Sequence, residues 1–196
     1  MWHRLLVDAR FHRQLLVIDE DLAAGARASG CSVCGGALHS ANYPRQPRGG
    51  PEEPAGESDP RHSFCCAARD CRKRRTPTSV RFLDRRLYLS VVVVLAAVLA
   101  QGLSKSRTRT LCGELGVDRR TLARWQEWWQ EEVPRTDFWT ELRGRLDRPP
   151  DPSALPTSLL ERIEGKDEEE RLLCLLRLIE PLSQSVLMRR RFARAA

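Results

Sequence analysis

Five of the seven cysteines lie between residues 31 and 71, in a segment with little else to fold around. The stretch from Tyr43 to Arg61, YPRQPRGGPEEPAGESDPR, is dominated by Pro, Gly and charge, and it reads as a loop. A segment without apolar bulk must close around covalent or coordinate bonds instead. The N-terminus, MWHRLLVDARFHRQLLVIDEDLAAGARASG, is broken by charges every few residues and offers no apolar run of secretory length. Disulfides are therefore disfavoured, and a metal site is expected.

The ligand pattern falls in two halves. Cys31-Ser-Val-Cys34-Gly-Gly has the two-residue gap and trailing glycines of a zinc knuckle, in which a tight turn aims both thiolates at one ion. The second half is His62-Ser-Phe-Cys65-Cys66-Ala-Ala-Arg-Asp-Cys71. Cys31, Cys34 and Cys71 are the expected ligands of a structural Zn²⁺, with either Cys66 or Cys65 as the fourth. Alternation along a short strand puts Phe64 and Cys66 on one face, where the ring can pack under the metal, and this favours Cys66 over the alternative Cys65. His39 and His62 are weaker candidates. Cys112 and Cys174, the latter within LLCLLRLI, read as core residues.

Charge directs attention to a second segment. The chain carries a net charge of +7, and residues 61–125 hold 15 Lys and Arg against 4 Asp and Glu, a surplus of 11. That distribution suits a polyanionic partner more than general solubility. Within it, Thr108 to Glu127, TRTLCGELGVDRRTLARWQE, has the spacing of a helix-turn-helix. Leu111 and Leu115 form the inner face of the first helix and Gly116 makes the left-handed turn. Val117 plugs that turn, and Leu122 and Trp125 anchor the second helix. Cys112 supplies a small residue at the crossing, and Asp118 is the expected N-cap. The second helix would present Arg119, Arg120, Thr121 and Arg124 near its start, where recognition helices meet base edges. Lys105, Arg107 and Arg109, together with Arg72, Lys73, Arg74 and Arg75, suit phosphate contacts.

Leu87 to Ala100, LYLSVVVVLAAVLA, has 14 residues, fewer than the roughly 20 that cross a bilayer, and reads as a buried helix completing a three-helix unit. Trp125, Trp128 and Trp129 recur at i, i+3 and i+4, a core spacing, with Phe138 and Trp139 expected to pack against them. Residues 147–156 read as a Pro-rich linker. Helical patterns follow at Ser158 to Glu164 and Glu168 to Met188, broken at Pro181, before Arg189-Arg190-Arg191.

The expected fold class is mostly α with a small β zinc ribbon. Residues 1–27 are an N-terminal helical segment, 28–82 the ribbon with its long loop at 43–61, and 83–146 the helix-turn-helix unit. The linker at 147–156 then leads to C-terminal helices and a basic tail over 157–196. The motifs CSVCGG, FCCAARDCRKRRTPTSVRFL and TLCGELGVDRRTLARWQEWW, in that order, resemble the DNA-binding front end of transposases from bacterial insertion elements. The resemblance spans roughly residues 28–146. It implies a sequence-specific binder of double-stranded DNA associated with a mobile element, acting in the cytoplasm at the nucleoid beside a separate transposase or integrase subunit. A zinc-containing transcriptional regulator is the alternative, ahead of a membrane-associated adaptor or a nuclease. The transposase catalytic domain, which holds two metal ions on three carboxylates, has no counterpart among the residues after 146, so no enzymatic activity is expected. A homodimer through the stripe Leu172, Leu173, Leu176 and Ile179 competes with packing of that stripe inside one chain.

Overall fold

The computed structural model describes residues 2–45, 59–82, 105–114 and 117–184. A 3₁₀ turn, Trp2–Val7, leads into the longest described helix, α1 (Ala9–Ala28), whose start is capped by the Asp8 carboxylate accepting from the Arg10 N–H at 2.8 Å. Phe11, Leu15, Asp19 and Ala23 are buried along it at four-residue intervals, so one stripe of α1 faces inward throughout. Phe11 and Leu15 belong to the main core, whereas Ala23 packs among the cysteines, so the helix is shared between two hydrophobic clusters.

Among the described residues, five short strands follow α1: β1 (Leu38–Ser40), β2 (Tyr43–Arg45), β3 (Asp59–Arg61), β4 (Phe64–Cys66) and β5 (Arg74–Arg75). All pairings are antiparallel, with β4 between β1 and β5, and β2 paired with β3. The stretch expected to be loop from 43 to 61 thus needs correcting, because both its ends are strands. Pro44 faces Pro60 across that ladder. Lacking N–H groups, two prolines can face each other only at a non-hydrogen-bonded pair, which leaves the flanking residues to carry the bonds. Ala41 N–H donates to Ser63 O at 2.8 Å and Ser63 N–H to Asn42 Oδ1 at 3.1 Å, joining the two ladders into one bent hairpin arm.

The helical body contains α2 (Lys105–Glu114), α3 (Arg119–Glu127), α4 (Asp137–Gly144), α5 (Thr157–Leu160) and α6 (Glu168–Ile179). Helix α3 runs into a π turn, Trp128–Glu132, just ahead of Pro134, which has no N–H to extend an α-helical ladder. Trp125, Trp128 and Trp129 are buried as their spacing predicts, with Trp128 and Trp129 in edge contact at 4.8 Å between centroids. Trp139 is buried and Phe138 half-buried against the same core.

Two further expectations change. Residues 147–156 are not a free linker: Pro150 is buried, a 3₁₀ turn forms at Pro152–Ala154, and Leu155 enters the main core. Cys174 is exposed, because α6 buries Leu172, Leu175, Leu176 and Ile179, and residue 174 points away from that stripe. Of the expected stripe, Leu172, Leu176 and Ile179 are fully buried and Leu173 half-buried against the main core of this chain. A 3₁₀ turn, Glu180–Gln184, follows α6 at Pro181. No helix among the described residues is long and apolar enough to cross a membrane. The expected helix at Leu87–Ala100, the turn residues Leu115 and Gly116, and the basic tail at 189–191 lie outside the described residues.

Candidate metal centre

The first half of the site is built by the end of α1. Ser29 N–H returns to Gly25 O, Gly30 follows at φ 71°, and Cys31 N–H donates to Gly36 O at 2.9 Å while Gly35 N–H donates back to Cys31 O at 2.8 Å. A Cβ on Gly30 would sit 3.0 Å from Gly35 O, so both its conformation and its surroundings demand glycine. Cys71 closes the second half, where its N–H and that of Arg72 converge on Ala68 O at 3.1 Å.

These turns bring Cys31, Cys34, Cys66 and Cys71 together, with all four Sγ atoms within 4.8 Å of one another. Cys31 Sγ lies 3.7 Å from Cys71 Sγ, and Cys34 Sγ lies 3.4 Å from Cys66 Sγ. Four thiolates at about 2.3 Å from a tetrahedral ion would stand roughly 3.8 Å apart, so the cluster is compatible with a metal of that geometry. Cys66 joins the cluster and Cys65 does not, its Sγ turning instead toward Arg72 O at 3.5 Å. Phe64, Leu38 and Ala23 form the apolar bed under Cys31 and Cys66. His39 is exposed on the strand opposite Cys65, and His62 lies outside the cluster, with burial lowering its basicity.

Each sulfur also receives a backbone N–H from two residues ahead. Val33 serves Cys31, Gly36 serves Cys34, Ala68 serves Cys66 and Lys73 serves Cys71. The wider gap between Cys66 and Cys71 therefore still yields the same local turn at each cysteine. Donors from Val33 and Cys34 pull the Cys31 thiol down to about 6. At Cys34, Cys66 and Cys71 the N–H groups of Gly36, Ala68 and Lys73 act in the same direction, but burial and neighbouring thiols outweigh them and raise all three. At three of the four sulfurs ionisation is thus disfavoured, and a cation in their midst would reverse that balance. Gly36 has no side chain to separate the sulfurs, since a Cβ there would meet Cys34 Sγ at 3.3 Å and Cys66 Sγ at 3.4 Å. Soft thiolates in this geometry suit zinc or iron.

The basic residues beside the cluster divide. Arg72 and Lys73 are exposed. Arg74 donates from Nε to Ser63 Oγ at 2.8 Å and from Nη2 to Ala41 O at 2.7 Å, with its guanidinium over the Tyr43 ring. Arg75 donates to Ser29 Oγ at 2.8 Å and Gly30 O at 2.5 Å. Arg74 and Arg75, expected at phosphates, thus also fasten the sheet to the hairpin arm and to the end of α1, Arg74 remaining exposed and Arg75 half-buried.

On the helical body, Val117 N–H donates to Cys112 O at 2.8 Å, and both residues are buried in the main core. Asp118 caps α3, accepting from Thr121 N–H at 2.7 Å, and that bond first of all holds its carboxyl below the ordinary range. Leu122 and Trp125 are buried while Arg119 and Arg120 are exposed, so α3 turns its apolar side inward and its arginines outward. Thr121 and Arg124 are half-buried between these faces, and Arg109 is exposed on α2. Lys105 and Arg107 also lie on α2, with side chains outside the described set.

Sequence reasoning missed a buried polar clamp. Asp19 Oδ2 accepts from Arg81 Nε at 2.8 Å and from Ser79 Oγ at 2.6 Å, while Oδ1 accepts from Val80 N–H at 2.8 Å. Arg81 Nη2 reaches Pro60 O at 2.8 Å, and Arg61, its own basicity lowered by burial, reaches Pro77 O at 2.5 Å. The available signal was position, since Asp19 falls four residues after Leu15 on the stripe that Phe11 opens. No family model, curated protein or solved structure matches this chain.

Proposed function

We propose that this protein is a sequence-specific binder of double-stranded DNA, held in shape by one structural Zn²⁺ on Cys31, Cys34, Cys66 and Cys71 in a ribbon, with α2 and α3 acting as a helix-turn-helix. The observation that carries the reading is α3 itself. It is capped at Asp118, anchored inward by Leu122 and Trp125, and exposes Arg119 and Arg120 on its first turn. A helix so oriented can enter a major groove N-terminus first and pair arginine with guanine. Arg72, Lys73 and Arg109, all exposed, would supply phosphate contacts beside it. The reading is one of binding without strand cleavage, and supercoiled plasmid with Mg²⁺ should remain intact. Association with a mobile element, alongside a separate transposase, rests on the order of the sequence motifs.

Selection from a random duplex library followed by binding across a salt series tests the proposal. Arg120→Ala should cost about 1–3 kcal/mol on the selected site and relax its base preference. Lys73→Ala should weaken all duplexes alike and flatten the salt dependence by about one unit of slope. If Arg120→Ala and Arg124→Ala left affinity and preference unchanged, α3 would be a packing element and the reading would fall.

A further inference from the structure

Three side chains on the first turns of α3 form a chain of hydrogen bonds with a fixed direction. Arg124 Nη2 donates to Thr121 Oγ1 at 2.8 Å, and Thr121 Oγ1 lies 3.1 Å from Asp118 Oδ2. A guanidinium can only donate and an ionised carboxylate can only accept, so the hydroxyl must accept from Arg124 and pass its own proton toward Asp118. With a cation at one end and an anion at the other, each bond polarises the next. Asp118 is anchored separately by the Thr121 backbone N–H at 2.7 Å, so the acceptor end of the chain does not move with the hydroxyl.

This arrangement changes the role expected of Thr121. Its one proton is committed to Asp118, so it has none to donate to a base. Arg119 and Arg120, by contrast, make no side-chain hydrogen bond or ion pair among the described residues. Arg124 is thus the arginine of this helix with a guanidinium nitrogen fixed by its own neighbours, and a fixed arginine loses less freedom when it pairs with a base.

We propose that Thr121 and Asp118 are positioning residues that hold the Arg124 guanidinium for reading one base pair, making Arg124 the specificity-determining arginine of α3. This rests on the DNA-binding function proposed above. Thr121→Val keeps the β-branched shape and the backbone N–H that Asp118 caps, and removes only the hydroxyl. Thr121→Ser restores it.

The test uses the full zinc-loaded protein and the duplex that the wild type selects. Arg124→Ala first identifies the base pair whose preference depends on that side chain. At that base pair Thr121→Val should lose roughly three- to tenfold of the preference, as expected when a long side chain loses one of the bonds that order it. Affinity for random duplex, salt slope and thermal midpoint should stay at wild-type values, and Thr121→Ser should recover the preference. Full preference retained in Thr121→Val, with preference lost in Arg124→Ala, would overturn the positioning role and leave the DNA-binding reading intact. A wild type without any base preference would overturn both. Should Thr121→Val fail to fold, Asp118→Asn gives the same comparison, because it keeps a capping oxygen and removes the charge that draws the hydroxyl proton. Undiminished preference in that variant would likewise overturn the role.

Discussion

At the scale of single residues, the most consequential side chain is one with no part in either motif. Asp19 and Arg81 are 0% and 1% exposed, and an ion pair so buried is held by geometry and by the hydrogen bonds around it. Asp19→Asn should therefore destabilise the fold by about 3–5 kcal/mol, measured by urea denaturation, because the buried guanidinium loses the charge that Asp19 places against it. A double apolar replacement should not rescue it fully, since Val80 N–H and Pro60 O would still lose their partners. Arg72 presents the opposite case. It takes φ 45° immediately after Cys71, as Gly35 takes φ 71° immediately after Cys34. Left-handed backbone is costly for a residue with a Cβ, so Arg72→Gly should raise the thermal midpoint even as it removes a cation. Asp118 adds a pH dependence. Its folded carboxyl is held below the ordinary range, so its contribution to α3 is complete above about pH 4 and lost as pH falls through the lower folded value. Helix content of Asp118→Asn followed by circular dichroism should be insensitive over that window.

At the scale of elements, the cysteine-bearing segment shows how much a local pattern can convey. Strand alternation placed Phe64 and Cys66 on one face, and a strand at Phe64–Cys66 buries both while leaving Cys65 half-buried on the other side. Metal content should follow that geometry: Cys34→Ser, Cys66→Ser and Cys71→Ser should each lose stoichiometric metal by elemental analysis, and Cys65→Ser should retain it. Acidification should release metal as well, because protons compete for thiolates, three of which burial and neighbouring thiols already raise. The Pro-rich segments were harder to read. Composition signals irregular backbone but not its partners, so Pro44 and Pro60 gave no hint of facing each other, nor Leu155 of entering the core. Helix α3 was legible because cap, apolar face and exposed arginines all lie within one local stretch.

At the scale of the whole molecule, α1 and the segment 76–82 tie the cysteine cluster to the helical body. Helix α1 contributes to both hydrophobic clusters. The segment leaving β5 is held by Asp19, by Glu180 accepting from Thr78 Oγ1 at 3.0 Å, and by Ser183 Oγ accepting from Ser79 N–H at 3.0 Å. Chelation should consequently lower the melting midpoint seen by tryptophan fluorescence, although Trp125, Trp128, Trp129 and Trp139 all lie in the other cluster; an unchanged midpoint would mean that the two parts unfold independently. The sequence by itself determined the features that depend on near neighbours: the cysteine spacing, the cap and amphipathic face of α3, the tryptophan stripe and the helical class. Tertiary structure alone decided which arginines are bound into the fold, which face of α6 leaves Cys174 outside, and that Asp19 is buried. The reason is physical. Turns, caps and periodicity are set by interactions within a few residues, whereas the fate of an arginine or a buried carboxylate depends on groups such as Ser79, Val80 and Arg81, which reach Asp19 only when chain 60 to 62 residues away folds back on α1.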